Sequence, residues 1–370
     1  MREFNYKKFI TAEWDSEILS YIGKIHEYKG KQEFYLKQKP QELNRLIDIA
    51  KIQSTESSNK IEGVVTTSTR IHKLLSEKTS PKNRDESEIL GYRDVLNTIH
   101  ENYDFIPIRP NYILQLHRDL YKYSTANGGI FKSVQNYINA RTSNGGEYVL
   151  FRPLDPFETP TAVDMICKNY EEISNSEKLD ELLLLPIFIS DFLCIHPFID
   201  GNGRMSRLLT TLILYKHGYF VGKYISLEKI IEETKISYYE ALQETSKDWH
   251  DDKNSYNPFI KYLLKIILRA YKELDERIIL IEDKLSAYDM VKKVVESTLG
   301  TFTKKEIAEK CPKIGNSSVE AALKKLKDEK IINALGVGRS TKYSKNICRD
   351  GVIDKDDENF IREFVREVQR

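Results

Sequence analysis

The most constraining feature of this 370-residue sequence is its most apolar stretch, residues 182–199, which contains Pro186, Asp191 and His196. A bilayer accepts a carboxylate and an imidazole only at high cost, so we do not expect this stretch to span a membrane. Its length and composition instead predict a helix buried in a large core. The polar residues near its end indicate that this helix leads to a place with a chemical role.

The composition predicts a soluble globular protein of two or three domains. Its 57 basic and 56 acidic residues give a net charge of +1, which excludes a nucleic-acid binder that is basic throughout but allows a local basic patch. The four cysteines are widely spaced and the N-terminus has no apolar signal core. We therefore expect reduced thiols and a cytoplasmic location.

Helical periodicity dominates the sequence up to about residue 286. Residues 43, 46, 47 and 50 are apolar and follow the spacing of one helix face. Similar faces recur at 68–76, 111–121, 161–173, 206–216, 227–246 and 257–287. The charged cluster from Glu77 to Glu88 is typical of a solvated loop between helices. These patterns predict a mainly α-helical fold.

One segment between Gly128 and Pro156 departs from the helical pattern. Residues 134–138 and 148–152 are rich in β-formers, and turn residues lie between them at 143–146. This arrangement predicts a β-hairpin. A lone hairpin is marginally stable, so we expect it to lie against the helices, with an edge that could accept another strand.

The pattern changes again after residue 286. We predict a helix at 288–298, a second helix that begins with a capping box from Thr303 to Glu306, and a third from Asn316 that buries Val319, Ala322, Leu323 and Leu326. Two short strands around a glycine turn complete the pattern of a winged helix-turn-helix. Residues 288–346 hold 13 basic and 7 acidic residues, a charge of 13 − 7 = +6.

The predicted organisation therefore has four parts. They are an N-terminal helical region at 1–110, a helical core at 111–286, a winged-helix domain at 287–350 and a C-terminal tail helix at 351–370.

The residues of greatest chemical interest read HPFIDGNGRMSR and occupy positions 196–207. Gly201, Asn202 and Gly203 permit backbone angles that let several N–H groups point at one spot. A helix is predicted to begin near residues 204–208. A nest of N–H groups at a helix N-terminus is suited to a phosphate.

Four side chains around this nest complete the constellation. Arg204 and Arg207 add forked donors for phosphate oxygens, and Asp200 is a hard oxygen ligand suited to Mg²⁺. His196 can accept a proton near neutral pH. A lone histidine or a glycine-rich loop is usually structural. These groups together in this order point to phosphoryl-type transfer.

The twelve residues from His196 to Arg207 resemble the signature of the Fic family at every fixed position, H-P-F-x-D-G-N-G-R-x-x-R. The similarity extends from about residue 40 to residue 270. It implies that residues 111–286 form a Fic-type catalytic core. It also implies that the protein is an adenylyltransferase, which transfers AMP from ATP to a hydroxyl of a target protein and to itself.

The resemblance also implies a role for each motif residue. His196 would deprotonate a target Ser, Thr or Tyr, Asp200 would hold Mg²⁺, Gly201 to Gly203 would form the anion hole, and Arg204 would bind the outer phosphates. Doc-type relatives carry Lys at the position of Gly203 and phosphorylate their targets. A glycine leaves room for the outer phosphates, so that pyrophosphate leaves and AMP is transferred.

A second motif, SNKIEG at residues 58–63, resembles the inhibitory motif of the self-inhibited subclass whose inhibitory helix precedes the core. It places Ser58, Glu62 and Gly63 at the inhibitory positions. Glu62 would pair with Arg207, so that Arg207 could not hold the γ-phosphate. A desolvated charge-assisted bond of a few kcal/mol would suppress activity about tenfold or more.

Two further features are similar to Fic proteins. The hairpin at 134–152 resembles the flap that pairs with a segment of the target, and a purely structural hairpin is the alternative. Tyr238 and Tyr239 resemble the segment that borders the adenine, where Tyr239 could stack on the base. Some relatives have Asn where this chain has Ser246. The alternative is an aromatic pair in the core.

Other functions stay open from the sequence. Glu62 could orient a water that removes AMP from a target, and UTP or CDP-choline could replace ATP. The basic 288–346 segment could bind DNA, in which case the Fic core would act as a sensor on a DNA-binding regulator. Protein docking is favoured because the segment has one arginine and its third helix also carries acidic residues. A homodimer that controls release of the inhibitory helix is also compatible with the sequence.

Overall fold

Two units divide the chain after Ile278 in a computed structural model of the protein. The structure describes residues 2–38, 40–75, 79–141, 147–282, 286–298, 300–311, 314–336, 338 and 341–346. The helices that begin in the first unit are α1 Ser16–Gln38, α2 Pro40–Ile61, α3 Ser68–Leu75, α4 Arg84–Asn102, α5 Pro110–Leu120, α6 Thr159–Ser176, α7 Glu181–Ile195, α8 Asn202–Lys216, α9 Leu227–Glu233, α10 Lys235–Ser246 and α11 Asn257–Glu282. The predicted mainly helical fold is confirmed. Among the described residues, no helix is both long and apolar enough to cross a membrane.

Helix α7 is the predicted buried helix, and it packs against both α6 and α8. Asp180 caps its first turn by accepting the N–H of Leu182 at 2.8 Å. All of its residues from Leu182 to Ile195 are buried except Leu193, which is half-buried. The helix ends at His196, which has a left-handed backbone with φ of 51° and donates its N–H to Phe192. A long-range cage of polar groups accommodates the one buried acid of this helix, Asp191.

That cage was not predicted from the sequence. Asp191 accepts hydrogen bonds from the hydroxyls of Tyr6 at 2.9 Å and Tyr256 at 2.7 Å, and from the indole of Trp249 at 2.7 Å. Arg2 donates to the Tyr256 hydroxyl at 2.8 Å. A buried carboxylate needs such partners, and here they come from both ends of the first unit.

The hairpin consists of β1 Ile138–Arg141 and β2 Glu147–Phe151, which pair antiparallel with Asn139 opposite Val149. The predicted first strand at 134–138 was wrong except for Ile138. The residues before it are held at the end of α7 instead, where the side chains of Lys132 and Asn136 donate to the backbone carbonyls of residues 195, 196 and 198. The predicted turn at 143–146 lies outside the described residues.

The charged cluster was predicted as a solvated loop, and this was wrong from residue 84 onward. Asn83 accepts the N–H of Glu86 at 2.9 Å and starts α4. Glu86 and Glu88 are buried, and each pairs with an arginine, Arg70 and Arg204 respectively. A buried carboxylate is tolerated when it is paired. A cluster of charged residues therefore does not distinguish an exposed loop from a helix whose acidic side chains are buried in ion pairs.

Two helix boundaries also differ from the sequence prediction. The apolar face at 227–246 is divided between α9 and α10, which meet at Thr234, whose hydroxyl donates to the carbonyl of Ile230. Helix α8 begins at Asn202, two residues before the predicted start, because Gly201 adopts a left-handed conformation with φ of 84° as its N-cap.

The second unit contains α12 Ala287–Ser297, β3 Thr301–Thr303, α13 Lys304–Lys310, α14 Asn316–Asp328, β4 Ile332–Leu335 and β5 Lys342–Lys345. The capping box of Thr303 and Glu306 is present, and α14 buries the four predicted residues. The sheet has three antiparallel strands in the order β3-β5-β4, rather than the two predicted. Strand β3 is too short to give a sequence signal. The predicted tail helix at 351–370 lies outside the described residues.

Candidate active site

A cavity of about 600 Å³ lies where the hairpin, α7 and α10 meet, and its lining includes four of the predicted site residues, Glu62, His196, Gly203 and Tyr239, but not Asp200, Arg204 or Arg207. His196 follows α7, Gly203 belongs to α8, and Glu62 follows α2. Tyr148 of β2 and Tyr239 of α10 complete the opposite walls. Residues that are far apart in the sequence therefore share one space that is large enough for a nucleotide-sized ligand.

His196 has the protonation state of a base. Its Nδ1 lies 3.2 Å from the carbonyl oxygen of Leu193, which can only accept, so Nδ1 carries the hydrogen and Nε2 keeps a lone pair. Burial lowers the pKa of His196 to about 4. The imidazole is consequently neutral at physiological pH and able to accept a proton at Nε2.

The loop after His196 is fixed by groups that sequence reasoning had partly missed. The side chain of Asn202 accepts the N–H of Phe198 at 2.9 Å and donates to its carbonyl at 2.8 Å. His117 of α5 stacks on the Phe198 ring at a centroid distance of 3.6 Å and donates to the carbonyl of Asp200 at 3.0 Å. A single histidine on an amphipathic helix gave no sign of this role.

The two glycines of the loop are required for different reasons. Gly201 has a positive φ, which favours glycine. Gly203 lies in the first turn of α8 with helical angles, but a Cβ there would lie 2.2 Å from an oxygen of Glu62. The conformational freedom predicted for both glycines is therefore used at Gly201. Gly203 is required because a larger residue would collide with the Glu62 carboxylate.

The structure brings residues 58–63 against the second arginine of the loop motif. Nη2 of Arg207 donates to the carboxylate of Glu62 at 2.8 Å and to the carbonyl of Ser58 at 2.9 Å, and Nε donates to the Ser58 hydroxyl at 2.8 Å. Burial by itself would lower the pKa of Arg207, but Glu62, Tyr238 and Tyr92 together raise it above the ordinary value. Gly63 follows with φ of 82°, where the chain leaves α2.

Arg204 has a different environment. Its Nη1 donates to Glu88 at 2.6 Å and its Nη2 donates to the Tyr121 hydroxyl at 2.9 Å, and its closest approach to Asp200 is 3.7 Å. The guanidinium predicted to bind outer phosphates is thus held by a buried internal partner. Sequence reasoning missed Glu88 because it assigned that residue to a loop.

Asp200 lies at the exposed side of the loop. One carboxylate oxygen accepts the N–H of Gly201 at 2.6 Å, and the other accepts from Arg84 at 2.9 Å. Mg²⁺ typically binds proteins through one or two carboxylates together with substrate phosphates. A half-exposed carboxylate beside a helix N-terminus fits that donor set.

The tyrosine pair is divided between the core and the cavity. Tyr238 is buried among aromatic rings that include Phe259 and Tyr262. Tyr239 is partly exposed and lines the cavity, together with Gln243 and Ser246 on the same helix. The ring of Tyr239 is therefore the one accessible to a ligand.

Comparisons with known proteins find relatives of this chain. Residues 107–214 match the model of the Fic/DOC family. Over 98 residues, the chain is 31% identical to a Fido domain-containing protein of Dictyostelium discoideum, which covers 24% of this chain and 68% of that protein. Over 234 residues, it is 26% identical to a Culex quinquefasciatus protein named protein adenylyltransferase Fic, which covers 60% of this chain and 41% of that protein. The chain thus spans about two fifths of the length of that mosquito relative.

Solved structures show the same fold. A Fic family protein from Desulfovibrio desulfuricans superimposes with a TM-score of 0.59 at 17% identity, over 92% of this chain and 99% of that chain. A Fic domain-containing signaling protein from Bacteroides thetaiotaomicron gives a TM-score of 0.56 at 23% identity, over 70% of this chain and 95% of that chain.

Proposed function

This chain belongs to the Fic/DOC family, and from that premise we propose that it is an autoinhibited protein adenylyltransferase. It transfers AMP from ATP to a Ser, Thr or Tyr hydroxyl of a target protein, and to itself. The observation that carries this proposal is the convergence of a neutral His196, the N-terminus of α8 and the Glu62 carboxylate on one cavity. The names of several relatives, protein adenylyltransferase Fic, support the reaction type.

In the proposed reaction, Nε2 of His196 takes the proton of the target hydroxyl. The oxygen attacks the α-phosphorus of ATP, a P–O bond forms, and the bond to the pyrophosphate oxygen breaks. His196 suits this step because its Nδ1 is committed to the Leu193 carbonyl and its Nε2 is free of a proton. The proton leaves on the imidazole and is released after transfer.

The phosphates are proposed to lie at the start of α8, where unpaired backbone N–H groups and the helix dipole favour an anion. Gly201, Asn202 and Gly203 form the anion hole and Arg207 binds an outer phosphate, whereas Arg204 would have to leave Glu88 to do so. Mg²⁺ at Asp200 would neutralise phosphate charge. Arg207 is the better placed arginine, since its carboxylate partner is already at the cavity.

Autoinhibition is proposed because Glu62 occupies this phosphate site. A Cβ on Gly203 would lie 2.2 Å from a carboxylate oxygen of Glu62, so this carboxylate fills the space beside the first turn of α8. The same carboxylate accepts a hydrogen bond from Arg207. A phosphate cannot share that position with a carboxylate, because the two anions repel and compete for the same donors. Release of Glu62 would therefore free both the space and the arginine.

The remaining parts of the cavity are proposed to bind the base and the target. Tyr239 offers an accessible ring on which adenine can stack. The hairpin lines the opposite wall with Tyr148 and Asn139, and a target segment could add to its edge as a further strand.

A second candidate activity is removal of AMP from a modified target. It is favoured by one observation, that the Glu62 carboxylate lines the same cavity as His196 and could orient an attacking water. Incubating a modified target with wild-type protein and with Glu62→Gln separates the two activities. Loss of AMP with the wild-type protein only would support the hydrolytic role.

The second unit is proposed to be a winged-helix domain. Its three helices and three-stranded sheet share a core of their own that includes Phe302, Ile307, Leu323 and Ile332. We favour protein docking or dimerisation as its role. A salt-dependent gel shift with the full chain would instead support DNA binding through its basic residues.

The proposed function is tested with ATP labelled at the α-phosphate. Wild-type protein with Mg²⁺ should label itself weakly, Glu62→Gly should label itself at least about tenfold more, and His196→Ala should give no label while it keeps its helical circular dichroism. Label transfer by His196→Ala would remove that residue from the role of base. Equal labelling by wild type and Glu62→Gly would remove the autoinhibition.

A further inference from the structure

Four consecutive carbonyl groups, beginning with that of the last residue of α7, are bonded by one short segment of chain, residues 132–136. The carbonyl of Ile195 accepts from Nζ of Lys132 at 3.0 Å, that of His196 from Nδ2 of Asn136 at 3.2 Å, that of Pro197 from the backbone N–H of Lys132 at 2.9 Å, and that of Phe198 from Nδ2 of Asn136 at 2.8 Å. Two residues therefore hold the backbone on both sides of His196.

We infer that Lys132 and Asn136 are positioning residues for His196, and that they connect the hairpin mechanically to it. The last carbonyls of a helix and the residues beyond it have no partners within the helix. His196 in addition adopts a left-handed backbone, which a residue with a Cβ keeps only when its surroundings hold it there. Lys132 and Asn136 supply those surroundings, and we call the pair the brace.

The two side chains of the brace are bonded to each other, and its lysine is buried. Nζ of Lys132 also donates to Oδ1 of Asn136 at 2.8 Å, which fixes the amide so that its NH₂ group faces the two carbonyls. Lys132 is only 3% exposed. Because buried donors and acceptors are costly to leave unpaired, loss of either side chain should weaken the bonds of the other.

The brace also adjoins both ends of the hairpin. Asn136 lies two residues before β1. Gln135, which lies between Lys132 and Asn136 in the chain, donates to the carbonyl of Pro153 at 3.1 Å, two residues beyond the end of β2. A segment bound along the hairpin would therefore be held in a fixed relation to the imidazole. This consequence rests on the proposed function, whereas the geometry of the brace does not.

Charge provides a second link between the brace and the base. The charged groups that act on His196 are Lys132, which lowers its pKa, and Glu62 and Asp200, which raise it. Burial lowers the pKa of Lys132 itself to about 8, so a large part of the population stays protonated at neutral pH. Removing the ammonium while keeping the side-chain volume should thus raise the pKa of His196.

The test uses the full chain and two readouts, of which the first needs no activity. Nitrogen-15 NMR of the imidazoles, with His196→Ala to assign the signal, reports the tautomer and pKa of His196. We expect Lys132→Met to raise that pKa, Lys132→Arg to restore it towards the wild-type value, and Asn136→Ala to shift or broaden the signal. Lys122→Met, an exposed lysine on the turn after α5, is the matched control and should leave it unchanged.

The second readout is the kinetics of self-labelling in the Glu62→Gly background. Asn136→Ala should lower kcat at least about tenfold with KM for ATP within about twofold, because it misplaces the base without touching the nucleotide. Asn169→Ala is the control, since Asn169 bonds the Met165 carbonyl within α6 at 2.9 Å, away from the site.

An unchanged His196 signal in Lys132→Met and in Asn136→Ala would overturn the inference. A fall of kcat in the control Asn169→Ala as large as that in Asn136→Ala would overturn it too, because the effect would then be general destabilisation. If Glu62→Gly itself shows no labelling, the proposed function fails, and the NMR readout still decides whether the brace positions the imidazole.

Discussion

Arg204 and Arg207 lie one turn apart on α8, and both are buried, yet their partners differ in kind. Arg204 is 1% exposed and pairs with Glu88, which is also 1% exposed. Arg207 is 3% exposed and pairs with Glu62, of which 32% is exposed and which lines the cavity. The first ion pair is sealed in the core, whereas the second has one partner that a ligand can reach.

This difference teaches which arginine can change partners. Separating a fully buried pair leaves two desolvated charges without compensation, whereas a half-exposed carboxylate can move into water. The pair of Arg204 therefore behaves as part of the fold, and the pair of Arg207 behaves as a contact that can open. The comparison yields four predictions, and the first concerns the buried pair.

Removing the charge of Glu88 should have the largest effect. Glu88→Gln leaves Arg204 without its anion and also removes one of the two carboxylate partners of Arg84, whose guanidinium bonds the other oxygen of Glu88. We expect the free energy of unfolding to fall by about 3–5 kcal/mol. Urea titration followed by tryptophan fluorescence reports this unit, since Trp14 and Trp249 both lie within it. Glu101→Gln, exposed on the same helix, is the control.

A loss below about 1 kcal/mol for Glu88→Gln would contradict the sealed character of the first pair. It would mean that Arg204 finds other acceptors without cost. The outer-phosphate role inferred from the motif would then be favoured over the structural one.

Removing the charge of Glu62 should have a smaller effect on stability and a large effect on activity. In Glu62→Gln, Arg207 keeps the two Ser58 acceptors, so we expect the free energy of unfolding to fall by only about 1–2 kcal/mol. Self-labelling should rise about tenfold or more because the phosphate site is vacated. A stability loss as large as that of Glu88→Gln would show that the two pairs do not differ.

The sequence predicted the consecutive parts of this site, and the resemblance of a second motif predicted Glu62, but other distant partners were missed. His196, Asp200 and Gly203 lie within eight residues, so their order alone indicated a phosphate-binding loop. Glu88 and Lys132 come from distant segments whose charge favoured exposure. Local patterns carry no information on which buried partner will neutralise a charge, and only the packed fold supplies it.

The same reason explains the outcome for the secondary structure. Helix α7 was predicted because its apolar residues form one long run, and the capping box of α13 because it is local. The start of β1 was misplaced because residues 134–137 have β-propensity, whereas Lys132 and Asn136 bond elsewhere. Tertiary contacts override propensity in such short segments.

Removing the Ser58 hydroxyl tests how far the Arg207 contact depends on its neutral partner. Ser58→Ala deletes the acceptor of Nε and keeps the Ser58 carbonyl and Glu62. We expect a loss of about 1 kcal/mol in unfolding free energy and an increase in self-labelling well below that of Glu62→Gln. Ser57→Ala, whose hydroxyl bonds Glu232 rather than Arg207, is the neighbouring control. A larger activation by Ser58→Ala than by Glu62→Gln would show that the hydroxyl, not the carboxylate, restrains the arginine.

The smallest expected effect is the pH dependence of self-labelling, which depends on His196 and on the Glu62 carboxylate near it. Burial lowers the pKa of His196 to about 4, so the imidazole accepts a proton above that pH and loses this ability as the pH falls through it. The His196-dependent part of the self-labelling rate should thus fall by only about a tenth between pH 7.5 and pH 5.

Glu62 raises the pKa of His196, so Glu62→Gln should move its NMR titration midpoint to lower pH. Glu88 is absent from the groups acting on His196, and Glu88→Gln should leave that midpoint in place as long as the protein is folded. A midpoint near the ordinary histidine value of about 6.5 in the wild-type protein would show that the imidazole is solvated and that the cavity does not bury its base.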